Sequence, residues 1–174
     1  LKVDGVYIWT NYDNVWMGDP KWNPVWDELN RRKAVIYTHP RSASCCGNPP
    51  IAVDEIPIDW QTDTTRAIAN TIFSGTALKY PDMKIIWSHG GGTMPFLVHR
   101  LIGLETQPKY KDFMPGGFLS MARKMYYDTA QQTLPPAQWP LKYVATVPQI
   151  LFGTDFPYTT DIDTGKALKD NGFF

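Results

Sequence analysis

The chain has 174 residues, 43% of them hydrophobic and 20% charged, and its formal net charge is zero. That length supports one core-forming domain over residues 1–174. Zero net charge gives nucleic acid or an anionic membrane no electrostatic footing, and no apolar run approaches the roughly 20 residues of a membrane helix.

From the amino end, Val6 to Thr10 reads as a strand with a polar exit over Asn11-Tyr12-Asp13-Asn14. Asn23 is a candidate N-cap and Pro24 a first helical residue for a helix running to Arg32. A second strand, Ala34 to Thr38, meets His39-Pro40, and the proline holds His39 extended and ends the strand. Arg41 to Trp60 reads as a long loop of the kind that covers a site. Thr62 to about Leu78 has helical spacing of apolar residues, and Tyr80-Pro81-Asp82 ends it.

The third strand, Lys84 to Ser88, runs into His89 and then Gly90-Gly91-Gly92. A helix follows from Thr93 with Met94, Leu97, Val98, Leu101 and Ile102 on one face, which leaves His99 on the surface. Glu105 to Gly117 reads as loop and Phe118 to Arg123 as a short helix. Met125 to Thr129 is a fourth strand. Pro136 to Val144 is a helix interrupted in prospect by Pro140. A fifth strand, Gln149 to Thr154, ends at Asp155, and Asp161 to Asp170 opens a last helix. Such alternation means βαβ units and a parallel sheet, with strands apolar because both faces are covered.

Cys45 and Cys46 are adjacent, and neighbouring cysteines rarely pair with each other. The opening Leu1-Lys2-Val3-Asp4-Gly5 has no apolar segment of a secretory signal. Both point to a reducing, cytoplasmic setting. The abundant aromatics read as core packing first, and as walls of a pocket for a flat ligand second.

Ligands of α/β folds sit at the carboxyl ends of parallel strands. Here three strands end in His39, His89 and Asp155, and His, His and Asp together suit a divalent metal. Asp128 ends a fourth strand and is either structural or a support for the metal ligands. The glycine run lacks the spacing of a dinucleotide site, although its backbone amides could hold an anion such as a carboxylate.

Tyr37-Thr38-His39-Pro40, Trp87-Ser88-His89-Gly90-Gly91-Gly92-Thr93-Met94-Pro95-Phe96 and Leu151-Phe152-Gly153-Thr154-Asp155-Phe156-Pro157-Tyr158 resemble the amidohydrolase-related metal-dependent decarboxylases. Trp9-Thr10-Asn11-Tyr12, Gly18-Asp19-Pro20 and Cys45-Cys46-Gly47 are most similar to the fungal 6-methylsalicylate decarboxylase branch. The resemblance implies the C-terminal five βα units of a (β/α)8 barrel. It implies one divalent ion, zinc or manganese, held by His39 and Asp155, with His89 and Asp155 as the catalytic acid/base residues. The implied substrate is a small aromatic carboxylic acid that loses CO2 without redox change, and a homodimer is a further implication.

The family's His-x-His or Glu-x-His pair on its first strand is absent from this sequence. The expectation is therefore a fragment of a longer enzyme, with an inactive truncated chain as the alternative. A hydrolase of the same superfamily is the other competing function. No strand here ends in lysine, which argues against the two-metal hydrolases.

Overall fold

In the computed structural model, residues 3–46 and 51–173 are described. Gly47, Pro49 and Pro50 of the long loop, and Leu1 and Lys2 at the amino end, lie outside them. Five strands form one parallel sheet in the order β1 (Gly5–Trp9), β4 (Val35–His39), β5 (Lys84–Trp87), β6 (Tyr126–Asp128) and β7 (Ile150–Leu151). Consecutive strands are neighbours, so every crossover moves the same way round, as in part of a (β/α)8 barrel.

Side chains alternate across the sheet, and the two faces differ in character. The rows Val6–Ile36–Ile85 and Ile8–Thr38–Trp87–Tyr127 meet the helices. Against them pack Ile68 and Ile72 of α2 (Gln61–Phe73), Met94 and Val98 of α4 (Met94–Ile102), and Phe118 and Met121 of α5 (Gly117–Ala122). Leu141 and Val144 of α6 (Pro135–Val144) complete this layer. The opposite face carries Tyr7, Trp9, Tyr37 and His39, with Tyr7 52% exposed. Helices thus cover one face, as in a barrel, which keeps its helices outside; the exposure of Tyr7 on the other face corrects the expectation that both faces are covered.

The fully buried aromatics each satisfy their polar atom. Trp26 Nε1 donates to the Met17 carbonyl (2.8 Å), Trp87 Nε1 to Met125 Sδ (3.0 Å) and the Tyr127 hydroxyl to the Ala122 carbonyl (2.9 Å). For these residues the packing reading of the aromatic content holds.

Several boundaries differ from the sequence reading. Asn23 is not the N-cap of α1 (Asn23–Arg31) but its first residue. Asp19 instead caps a 3-10 turn over Pro20–Trp22, accepting from the Lys21 amide, and that turn feeds the helix. The helix foreseen from Thr62 to Leu78 breaks after Phe73, because Gly75 adopts a left-handed φ of 81°, and resumes as the single-turn α3 (Thr76–Lys79). Its front end is longer than foreseen, with a π-helical turn at Ile56–Trp60 inside the expected loop. Pro140 does not end α6: burial of Leu141 and Val144 outweighs the single hydrogen bond that its missing N–H forgoes. The last helix, α7, spans Asp161–Asp170 as foreseen.

Two features were not foreseen. Asn11–Tyr12 (β2) and Val15–Trp16 (β3) form a hairpin, turned by Asp13 and Asn14 at φ 49° and 62°. Cys45 and Cys46 are joined as a disulfide within the turn that Cys46 N–H closes onto the Ala43 carbonyl. This corrects the expectation that they stay apart, since the turn puts both sulfurs on one side. The cysteines therefore carry no argument for a reducing compartment. Among the described residues no helix is long and apolar enough to cross a membrane.

Asp63 of α2, buried, ties the hairpin to the helix layer. It accepts from the Thr10 hydroxyl, Asn11 Nδ2 (2.9 Å) and Trp16 Nε1 (2.7 Å). Asp63→Ala strands three donors at once and should destabilise the fold by about 3 kcal/mol or more, read from urea unfolding. An unchanged midpoint would remove Asp63 from this role.

Candidate metal centre and its cleft

His39 is the last residue of β4, and the next residue fixes its ring. Nδ1 lies 2.9 Å from the Pro40 carbonyl, a pure acceptor, so Nδ1 carries the proton and Nε2 keeps its lone pair. Trp9 and Trp60 meet the ring edge-on at 5.6 and 5.5 Å, and His89 does so at 5.3 Å. Burial pushes the His39 imidazole below its ordinary pKa, which favours the neutral, ligating form.

His89 follows β5 and begins a run of left-handed backbone. Its φ is 52°, and Gly90, Gly91 and Gly92 continue at 62°, 83° and 65°. Glycine is needed at 92, where a Cβ would stand 2.2 Å from the Gln61 carbonyl oxygen. The run turns the chain from β5 into α4 and leaves His89 buried at the strand end.

Asp155 lies four residues past β7, again with a left-handed φ of 67°. Gly153 lets this loop pass over Asp128, because a Cβ there would meet the Asp128 side chain at 3.0 Å.

His39, His89 and Asp155 each offer one ligand atom within 4.8 Å of the others. The two Nε2 atoms are 3.4 Å apart, and Asp155 Oδ1 is 4.0 Å from His89 Nε2. Two nitrogens at zinc-bond distance in a tetrahedron stand roughly 3.3–3.4 Å apart. Buried His89 Nδ1 has no hydrogen-bond partner. The donor set and its spacing therefore fit a divalent cation, which brings together all three residues singled out in the sequence.

Asp128 sits beneath them. Its carboxylate accepts from the Tyr37 hydroxyl (2.6 Å) and the Ala130 amide (3.1 Å). Burial pushes its carboxyl above the ordinary range. Tyr37 was missed as a partner, since nothing local links positions 91 residues apart. His99 is exposed on α4 and away from the cluster.

The cluster opens into a cleft of about 720 Å³ walled by Trp60, Ile56, Pro95, Phe96, Pro140 and Tyr158. That size and apolar lining suit a small flat ligand. Trp60, Ile56 and Pro57 come from the long loop segment, as a covering segment would.

Comparison with known proteins follows the same lines. The family profile described as Amidohydrolase matches residues 3–172. A decarboxylase of Penicillium terrestre is 38% identical over 170 residues, covering 91% of this chain and 49% of the relative. A 6-methylsalicylic acid decarboxylase of Penicillium expansum is 33% identical over 160 residues, covering 90% and 49%. The crystal structure of a 5-carboxyvanillate decarboxylase from Novosphingobium aromaticivorans, complexed with manganese and a nitrobenzoic acid, superposes with a TM-score of 0.76. It is 16% identical, over 94% of this chain and 49% of that one, and shows the shared fold. The chain spans about half the length of the curated relatives it matches.

The lowered pKa of His39 makes a sign-definite prediction. Unfolding frees the imidazole to titrate near 6.5, so its contribution to stability is intact above that pH and lost as pH falls below it. In metal-free buffer the urea midpoint should drop between about pH 7.5 and about pH 5.5, and His39→Gln should show a smaller drop. Equal drops would mean that His39 titrates alike folded and unfolded.

Proposed function

The chain belongs to the amidohydrolase family, and on that premise we propose that its cleft serves the non-oxidative decarboxylation of a small aromatic, salicylate-like carboxylic acid. The supporting observation is the convergence of His39, His89 and Asp155 within 4.8 Å at the head of an apolar cleft. The names of the fungal relatives add weight, with 6-methylsalicylic acid the first substrate to offer.

His39 Nε2 and one Asp155 oxygen are the proposed ligands of a single divalent ion, zinc or manganese. When bound, that ion supplies Lewis acidity to the acid's carboxylate and ortho hydroxyl, fixing the ring and drawing off charge. The chain's own groups do the rest. Trp60 and Phe96 give the cleft flat apolar walls against which a ring can lie. A proton passes from the Asp155–His89 pair, whose nearest atoms are 4.0 Å apart, to the ring carbon that bears the carboxylate. The ring–carboxylate bond then breaks, its electrons restore the aromatic ring, and CO2 leaves. Protonation before cleavage avoids a free aryl carbanion. Asp128 sits beneath the cluster, its carboxylate held by the Tyr37 hydroxyl and the Ala130 amide.

The test offers 6-methylsalicylic acid to the zinc- or manganese-loaded protein and follows m-cresol and CO2. His89→Ala and Asp155→Asn should each lower turnover by about a hundredfold or more. Elemental analysis should find about one ion per chain, lost in His39→Ala. Product without metal dependence, or full rates in both variants, would sink the assignment. The family description also covers hydrolases, and release of an acid from a lactone or amide with no CO2 would mark that chemistry instead.

A further inference from the structure

We infer that Gln131 is a positioning residue that holds the carboxylate of Asp155 in its working orientation. The inference deepens the proposed function, because it rests on Asp155 as a metal ligand. Gln131 Nε2 lies 3.2 Å from Asp155 Oδ2 and 3.2 Å from Thr159 Oγ1, so both amide hydrogens are used across the cleft mouth. With Oδ2 engaged, Oδ1 is the oxygen nearest His89 Nε2, at 4.0 Å. The carboxylate is thereby given one working oxygen and one anchored oxygen.

The backbone at Gln131 argues against a merely structural role. The Gln132 amide bonds the Thr129 carbonyl at 2.9 Å, closing a four-residue turn, and Gln131 is its third residue with φ 58°. That position ordinarily takes glycine or asparagine, since at positive φ any Cβ crowds the neighbouring backbone. Gln131 is also exposed, and a hydrogen bond open to water adds little net stability. A strained, exposed glutamine is unfavourable for the fold alone, and strain of this kind gathers at working sites. Two members of the cluster share it: His89 and Asp155 also have left-handed φ, while His39 ends a regular strand.

Two clamps make the distance reproducible. Thr129 N–H donates to the Leu151 carbonyl at 3.0 Å. Gly153 N–H meets Thr129 Oγ1 at 3.1 Å, and that hydroxyl lies 3.1 Å from the Gly153 carbonyl. Gln131 and Asp155 each stand two residues beyond this clamped pair, so the loops that present them start from a common fixed point.

The experiment measures Mn2+ affinity by calorimetry for the 174-residue protein, Gln131→Gly, Gln131→Met and Asp155→Ala, with the metal-free Tm of each. Glycine removes both the amide and the backbone strain, and methionine removes the amide while keeping length and φ. Both Gln131 variants should bind Mn2+ about tenfold more weakly, the ordinary effect of losing a partner behind a ligand. The metal-free Tm of Gln131→Gly should be no lower than the parent's, a combination a structural residue would not give. Parent-like affinity in either Gln131 variant, or a loss that follows a lowered Tm, overturns the inference and leaves the metal site standing. Parent-like affinity in Asp155→Ala, or no Mn2+ binding by the parent, removes the metal site and the inference with it.

Discussion

Parallel pairing is the constraint on which the rest depends. Because all five strands run the same way, their carboxyl ends form one rim, and residues distant in sequence become neighbours without any local attraction between them. Trp9 is in register with His39, and Thr38 with Trp87, so His39 and His89 leave adjacent strands at nearly the same height. Asp128 pairs with Leu151, which starts the loop to Asp155 from that rim as well. The helix layer enforces this register: a one-residue slip of β5 would turn Ile85 and Trp87 away from Ile68, Met94 and Phe118 and bury Ile86 and Lys84 in their place. Core packing thus sets the ligand spacing indirectly.

At the rim the backbone departs from what local preference would choose. His89, Gln131 and Asp155 have left-handed φ, and buried Asp128 carries a carboxyl that its surroundings keep above the ordinary range. Such features weaken a fold one by one. Here they are confined to the strand ends, while the strands and the helix layer below are apolar and closely packed. Tyr37 and the Ala130 amide each give Asp128 a donor, so the cost of burying it is offset by hydrogen bonds.

The strand ends were legible because each carries its own punctuation. Pro40 after His39, three glycines after His89 and Gly153 before Asp155 mark where apolar runs stop. The βα alternation followed from the same signals, and α7 was readable from its ends alone, Thr160 taking the Asp163 amide as its cap. What escaped the reading was set by tertiary contact or by very short elements. The β2–β3 hairpin has two residues per strand, too few for alternation to register, and only the Asp13-Asn14 turn hinted at it. The break at Gly75 was hidden by apolar residues that keep helical spacing on both sides of it. Asp63, Tyr37 and Gln131 act through partners 24 to 91 residues away, and no window along the chain contains both ends of such a bond.

The ring around His39 has a consequence for the entropy of binding. The imidazole is bonded to the carbonyl of its own neighbour, Pro40, and boxed by Trp9, Trp60 and His89. Two of these walls are indoles, with only two side-chain torsions each, and Trp60 is pinned further by its Nε1 bond to Ser42 Oγ at 2.9 Å. Freezing mobile side chains is a principal cost of association, about 0.5–1.5 kcal/mol for each flexible one. At His39 most of that loss is incurred when the chain folds, so an arriving ligand meets rotamers already chosen and is spared that part of the cost of binding.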